Sequence, residues 1–187
     1  MQFIDGGVTA PKGFTANGML CKIKESSTKN DLALVFSEKL CNAAGVFTQN
    51  KVKAESVKLT KENIANGKAQ AVIANSGNAN ACTGEQGAKV ARKMASLAAD
   101  VLGINSGDVI VYSTGVIGKQ LPVEKIEKNI QSLKDGLSKE GHKEARTAIM
   151  TTDTHYKECA VQTVIGGKTV RIGAMAKGSG MIHINMG

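Results

Sequence analysis

Apolar residues along this chain come in short runs separated by segments rich in Gly, Asn and Ser, and the period of the runs changes along the sequence. Residues 32–36 (LALVF) and 44–48 (AGVFT) are compact apolar runs that predict strands, with the polar stretch 37–42 as their connection. Residues 70–74 (QAVIA) predict a further strand, stopped by the turn-forming run Asn75, Ser76, Gly77 and Asn78. Beyond Gly84 the period becomes helical. Val90, Met94, Leu97, Ala98 and Val101 fall on one face, opposite Lys89, Arg92 and Lys93, which predicts an amphipathic helix over 85–102 that ends at Gly103.

The same grammar then repeats. Residues 108–112 predict a strand, 113–118 (STGVIG) a loop, and Pro122 opens a helix through Val123, Ile126, Ile130 and Leu133. Both loops leave the carboxyl end of a strand, where α/β sheets commonly build their sites. Residues 145–150 read as a helix or its tail. Residues 160–165 and 169–176 flank Gly166, Gly167 and Lys168 as a hairpin. Residues 6–14 (GGVTAPKGF) are too rich in Gly and Pro for a regular element and predict an ordered entry loop. The final run, 177–187, is apolar and ordered in character rather than charged and frayed, which suggests a processed end.

Composition narrows the class. With 187 residues and 42% of them hydrophobic, the chain can bury one core, and one domain over 1–187 is expected. Only 3% are aromatic, and none is Trp, so that core is aliphatic. The net charge of +8 is dispersed beside Glu residues, and few aromatics are available for base stacking, so it describes a solvated surface rather than a nucleic-acid site. Cys21, Cys41, Cys82 and Cys159 are too widely spaced for a zinc site, and no stretch has the length of a membrane span or the form of a signal peptide. A cytoplasmic protein with reduced thiols and no cofactor is the expectation.

The loops hold the candidate chemistry, and each has a plain alternative. Ser113, Thr114 and Gly115 can form an anion site of hydroxyl and exposed N–H donors, or a simple tight turn. The loop 75–84 (NSGNANACTG) can bind a polar substrate or use its Asn residues to shape itself. Residues 151–154 (TTDT) can cap a helix, turn the chain or bind a ligand, and Lys177 can face a carboxylate or only solvent. Cys82 has no His near it in sequence to activate it. His142, His155 and His183 share no spacing with one another or with carboxylates that would make a metal site or a triad.

Taken in order, GGVTAPKGF at 6–14, AVIANSGNANACTG at 71–84, STGVIG at 113–118, TTDT at 151–154 and AKGSGMIH at 176–183 resemble successive motifs of a known family. It is the bifunctional ornithine acetyltransferase/N-acetylglutamate synthase family of arginine biosynthesis, and the resemblance runs over essentially the whole chain. It implies an α/β layered sandwich of the self-processing ornithine acetyltransferase/aminopeptidase type, completed by a companion β chain. In that family one precursor cuts itself before a Thr, so Gly187 would precede the cut and the nucleophile would be the companion's N-terminal Thr. A free α-amine, with a pKa near 8, can serve as its base.

By motif, Thr114 and Gly115 correspond to the oxyanion hole, and Thr154 and Lys177 to substrate contacts. The implied reaction moves acetyl from N-acetylornithine to glutamate, with acetyl-CoA a donor for some members, in an α2β2 heterotetramer. A related self-cleaving aminopeptidase or amidase is the alternative within enzymes; a non-catalytic metabolite-binding module is the alternative outside them. This chain departs from the family at Ile184, where Pro is common, and at Gly187, where Ala is common.

Overall fold

A computed structural model of the chain describes residues 1–178 and 184–187. Its strands are β1 (Gln2–Ile4), β2 (Phe14–Met19), β3 (Leu32–Asn42), β4 (Lys68–Asn75), β5 (Val109–Ser113), β6 (Lys157–Ile165) and β7 (Lys168–Ala176). Its α-helices are α1 (Glu55–Asn63), α2 (Gly84–Leu102), α3 (Val123–Asp135) and α4 (His142–Ala148). The strands make a four-stranded sheet in the order β2-β3-β4-β5 and a three-stranded sheet in the order β1-β6-β7.

Side-chain parity sets the layers of the larger sheet. Because successive strand residues point to opposite faces, Leu32, Leu34, Ala71, Ile73, Val109 and Val111 share one face, and they pack against Leu59 of α1, Met94 and Ala98 of α2, and Ile126, Ile130 and Leu133 of α3. Ala33, Val35, Val72 and Ala74 share the other face, with Ala145 and Ala148 of α4 and Met175 of β7. Both faces being covered, these strands read as continuous apolar runs rather than alternating ones. The architecture is thus a layered α/β fold, as the family resemblance implies.

Two expectations need correction. The polar stretch 37–42 is not a connection but the second half of β3, which continues past an irregularity between Phe36 and Cys41 to pair Cys41 with Ala69. Residues 44–48 are not a strand, because among the described residues no neighbouring strand offers them a ladder and Thr48 makes an isolated bridge to Met186. Three elements were unannounced by the pattern: β1, β2 and α1. Helix α1 guards the free edge of β5, where Thr60 Oγ1 donates to the Val111 carbonyl at 2.8 Å and accepts its N–H at 3.0 Å. Gly18 in β2 is set by close approach, since a Cβ there would collide with the Glu144 and Ala145 backbone of α4.

The smaller sheet is asymmetric. One face carries Ala160, Met175 and the half-buried Glu158, whose enclosed carboxylate accepts from His142 Nδ1 at 2.9 Å and from Arg146, holding α4 in place. The opposite face aligns Phe3, Val161 and Ile172 across all three strands and continues through Cys159, Val170 and Ala174. Phe3 is 76% and Ile172 54% exposed on it.

Candidate functional site

Strands β4 and β5 run parallel, with Asn75 opposite Ser113, so the two Gly/Asn loops leave the sheet side by side at its carboxyl end. They then lace together. Thr114 N–H donates to the Asn75 carbonyl at 3.0 Å, Val116 N–H to Gly77 at 3.3 Å, Ala79 N–H to Val116 at 2.9 Å and Gly118 N–H to Ala81 at 2.9 Å. The Asn side chains complete the weave. Asn78 Nδ2 reaches the Lys119 and Gln120 carbonyls at 3.0 and 3.2 Å while its Oδ1 accepts the Asn80 N–H at 2.8 Å. The fully buried Asn80 holds Gly87 of α2 and accepts from Thr83 Oγ1. Asn80 and Cys82 both take left-handed backbone conformations, which Asn tolerates better than most side chains. Of the two readings of this loop, self-shaping therefore accounts for Asn78 and Asn80.

What the weave leaves over is informative. Asn75 Oδ1, Ser113 Oγ and Thr114 Oγ1 are buried without a hydrogen-bond partner among the described residues. Gly115 lies beside them, exposed, and its N–H meets no acceptor among the described residues. Its φ of +134° suits glycine, and a Cβ there would overlap the backbone of Gly77 and Asn78. Buried polar groups are normally paired, so hydroxyls left open in an otherwise saturated loop call for a partner from outside the described residues. The arrangement can donate a hydroxyl and a backbone N–H to an anion. Sequence placed Asn75 and Ser113 in two separate candidate loops; only the parallel register brings them together.

The second candidate group is organised around a residue not singled out, Asp153. Its side chain has no exposure, and Oδ1 accepts from Lys157 Nζ at 2.8 Å and Gly178 N–H at 2.6 Å. Oδ2 accepts the Thr151 N–H at 3.2 Å and stands 4.0 Å from Lys177 Nζ. Lys177 Nζ also donates to Thr151 Oγ1 at 2.8 Å, so it is not free in solvent and its ion pair with Asp153 is a long one. Thr154 is exposed at the end of this loop. Burial pushes the Asp153 carboxyl up, but the hydrogen bonds from Lys157, Gly178 and Thr151 outweigh it and hold the group well below the usual carboxylate range.

A depressed carboxyl stabilises the fold at every pH above its unfolded value of about 3.9 and loses that contribution as pH falls from there through the folded value. Asp153→Asn is accordingly expected to be less stable than the parent at neutral pH, with the gap narrowing only below about pH 4. Urea unfolding of both proteins across pH 2 to 7 checks this; a gap that closes near neutrality would contradict it.

The structure joins Lys177 to the 151–154 loop and Thr114 to Gly115, and no hydrogen bond or ion pair among the described residues links the two groups. Gly187 sits elsewhere, exchanging two backbone hydrogen bonds with Phe47 at 3.0 and 3.3 Å. The motif stretch 179–183, His183 included, lies outside the described residues. His142 does have a carboxylate partner, Glu158, which sequence spacing concealed. Cys82 is exposed and hydrogen-bonds to no His among the described residues. Cys21 is buried, and burial together with the Asp31 charge pushes its thiol up to about 12, which makes it inert. Among the described residues no group of three His, Cys, Asp or Glu could hold a metal, and no helix is long and apolar enough to cross a membrane.

Comparison with known proteins places this geometry. The ArgJ family model matches residues 15–187. The arginine biosynthesis bifunctional protein ArgJ of Symbiobacterium thermophilum is 54% identical over 187 residues, covering 100% of this chain and 46% of the relative. That of Caldanaerobacter subterraneus is 52% identical over 186 residues, again 46% of its length. The chain thus spans just under half the length of these curated relatives. Among solved structures, ArgJ of Bacillus halodurans superposes with a TM-score of 0.91 at 44% identity, covering 97% of this chain and 95% of that one. Ornithine acetyltransferase of Mycobacterium tuberculosis, solved in complex with ornithine, gives 0.92 at 39% identity, with 100% and 99% covered. On a match that spans nearly the whole sequence and the whole described fold, the chain belongs to the ArgJ family.

Proposed function

We propose that this chain is one half of a cytoplasmic, self-cleaving acetyltransferase that moves acetyl from N-acetylornithine to glutamate in arginine biosynthesis. The observation that carries the reading is the open donor pair, Thr114 Oγ1 and Gly115 N–H, in a loop whose other polar groups are almost all satisfied. The nucleophile is the N-terminal Thr of a companion chain. Its hydroxyl attacks the acetyl carbonyl while its own amine takes the proton. Negative charge develops on the carbonyl oxygen, where the Thr114 hydroxyl and the Gly115 N–H donate to it. Ornithine leaves protonated, an acetyl ester remains on the Thr, and the amine of glutamate attacks that ester in the second half-reaction. Lys177 faces a substrate carboxylate, beside Thr154. Acetyl-CoA is a second donor on this reading.

Three further observations support it. Relatives carry the names bifunctional ArgJ and ornithine acetyltransferase. The solved chains are matched over 95% and 99% of their length, yet the curated relatives over only 46%, as expected if the family's polypeptide is divided after synthesis. The outer face of the smaller sheet, apolar at its centre with Phe3, Ile172 and Cys159 exposed and with Lys157 and Lys168 at its ends, suits a companion chain packed over it in an α2β2 assembly.

Intact-mass analysis and N-terminal sequencing of the purified assembly test the proposal, followed by incubation with N-acetylornithine. A second polypeptide beginning with Thr, gaining one acetyl group that glutamate removes, is the expected result. A chain that purifies with no Thr-led partner and transfers no acetyl group would leave the reading without a nucleophile.

A further inference from the structure

Asp153 plays no part in the chemistry above, yet it is the most completely enclosed carboxylate in the 151–178 region. A buried carboxylate is costly unless several donors meet it, and here the donors come from two separate pieces of chain. Lys157 and the Thr151 N–H belong to its own loop, whereas Gly178 N–H and the Lys177 ammonium belong to the exit from β7. The two lysines are treated differently. Lys157 is paired directly with Oδ1 at 2.8 Å, while Lys177 is held back at 4.0 Å from Oδ2 and anchored through the Thr151 hydroxyl at 2.8 Å. An ammonium has three N–H donors, and among the described residues Lys177 makes one hydrogen bond, so two donors remain for a ligand and its charge is only partly neutralised. Its side chain retains 20% exposure, enough to be reached by a ligand.

We propose that Asp153 is a positioning residue for substrate binding: it ties the Thr151–Thr154 loop to the end of β7 and fixes Lys177 with its free N–H donors toward the substrate's carboxylate. Lys157 and the Gly178 N–H occupy Oδ1 and the Thr151 N–H occupies Oδ2, so Lys177 stays at a distance from both oxygens. The inference rests on the acetyl-transfer reading, and concerns how the substrate is held rather than how the acyl group moves. In the depth of its burial and the number of its donors, Asp153 resembles a structural carboxylate, so the test must separate placement of Lys177 from simple support of the fold.

A double-mutant cycle in the complete, processed enzyme does this, with Asp153→Asn, Lys177→Met and the double variant compared by KM and kcat for the acetyl donor. Asp153→Asn is expected to raise KM about tenfold with kcat within about twofold, because the lost contact is made equally in the ground and transition states. The double variant is expected to bind no worse than Lys177→Met alone, since Asp153 acts through that lysine. Effects that multiply in the double variant, or a fall in kcat with KM unchanged, would overturn the proposal. If Asp153→Asn does not accumulate as folded protein, Thr151→Val at an exposed position replaces it. That variant removes the hydroxyl holding Lys177, and a KM raised less than about threefold would likewise overturn it. A parent enzyme that transfers no acetyl group sinks the preceding reading and this inference with it, whereas an active parent whose KM ignores Asp153→Asn sinks this inference alone.

Discussion

Thr114→Ala is expected to lower kcat for acetyl transfer by on the order of 10²- to 10³-fold while leaving the fold as stable as before. The combination follows from one observation. Thr114 Oγ1 is buried and has no partner among the described residues, so deleting it removes no hydrogen bond seen there and relieves an unpaired polar group. The Thr114 backbone N–H, which does bind the Asn75 carbonyl, is untouched by the substitution. The hydroxyl becomes useful only when charge develops on the carbonyl oxygen. Its loss therefore falls on the transition state, at about 3 to 4 kcal/mol for one oxyanion donor in a preorganised site. Thr114→Ser, which keeps the hydroxyl, should recover most of the rate. Steady-state kinetics and thermal melting of the three proteins decide the matter. Unchanged turnover in Thr114→Ala would remove the residue from the mechanism, and a large drop in melting temperature would make it structural.

The second large effect is on stability, at Asp31. This carboxylate is 2% exposed at the start of β3, and both oxygens accept backbone donors, Oδ1 from Cys21 N–H at 2.6 Å and Oδ2 from Ile23 N–H at 2.7 Å. Its own backbone is committed as well, with N–H to the Met19 carbonyl and carbonyl to the Ser76 N–H, each at 2.9 Å. Asp31 thus pins the β2–β3 connection and the first turn of the candidate-site loop together. Hydrogen bonds to a charged group contribute about 1.5 to 3 kcal/mol each, so Asp31→Ala should cost about 3 to 5 kcal/mol. For a domain of this size that is a drop of roughly 6 to 20 °C in Tm. Asp31→Asn keeps one acceptor and should lose less. The Cys21 thiol supplies a local readout: burial and the Asp31 charge together push it up to about 12, so removing the charge should speed its alkylation. A Tm within about 3 °C of the parent would show that the two N–H groups find other partners.

Much of the site was legible because it is built from local patterns. The strand, loop and helix units around Asn75 and Ser113 were readable from apolar period and Gly/Asn punctuation, and β4, α2, β5 and α3 fall within a residue or two of those expectations. The β6–β7 hairpin was readable for the same reason, its turn being written in Gly166 and Gly167. The residues of the proposed oxyanion hole came from matching motifs rather than from composition, which alone favoured a tight turn.

Other features were hidden because their cause lies far away in sequence. Residues 44–48 have strand-like composition but no adjacent strand to pair with, whereas the polar 37–42 has one in β4. Strand β2 looks like a loop because of Gly18, yet that glycine answers to the approach of α4 more than a hundred residues later. Helix α1 buries Ser56, Leu59 and Thr60, too polar a face to announce itself, because Thr60 serves the backbone edge of β5. Sequence by itself determined the class of fold, the order of its units, the aliphatic core and the loops where chemistry could sit, since each depends on neighbours within a few turns of chain. Only the tertiary structure decided that Asn75 faces Ser113, that the Thr114 hydroxyl has no partner among the described residues and that Asp153 holds two lysines at unequal distances, because those depend on strand register and on groups brought together from distant segments, which no local period encodes.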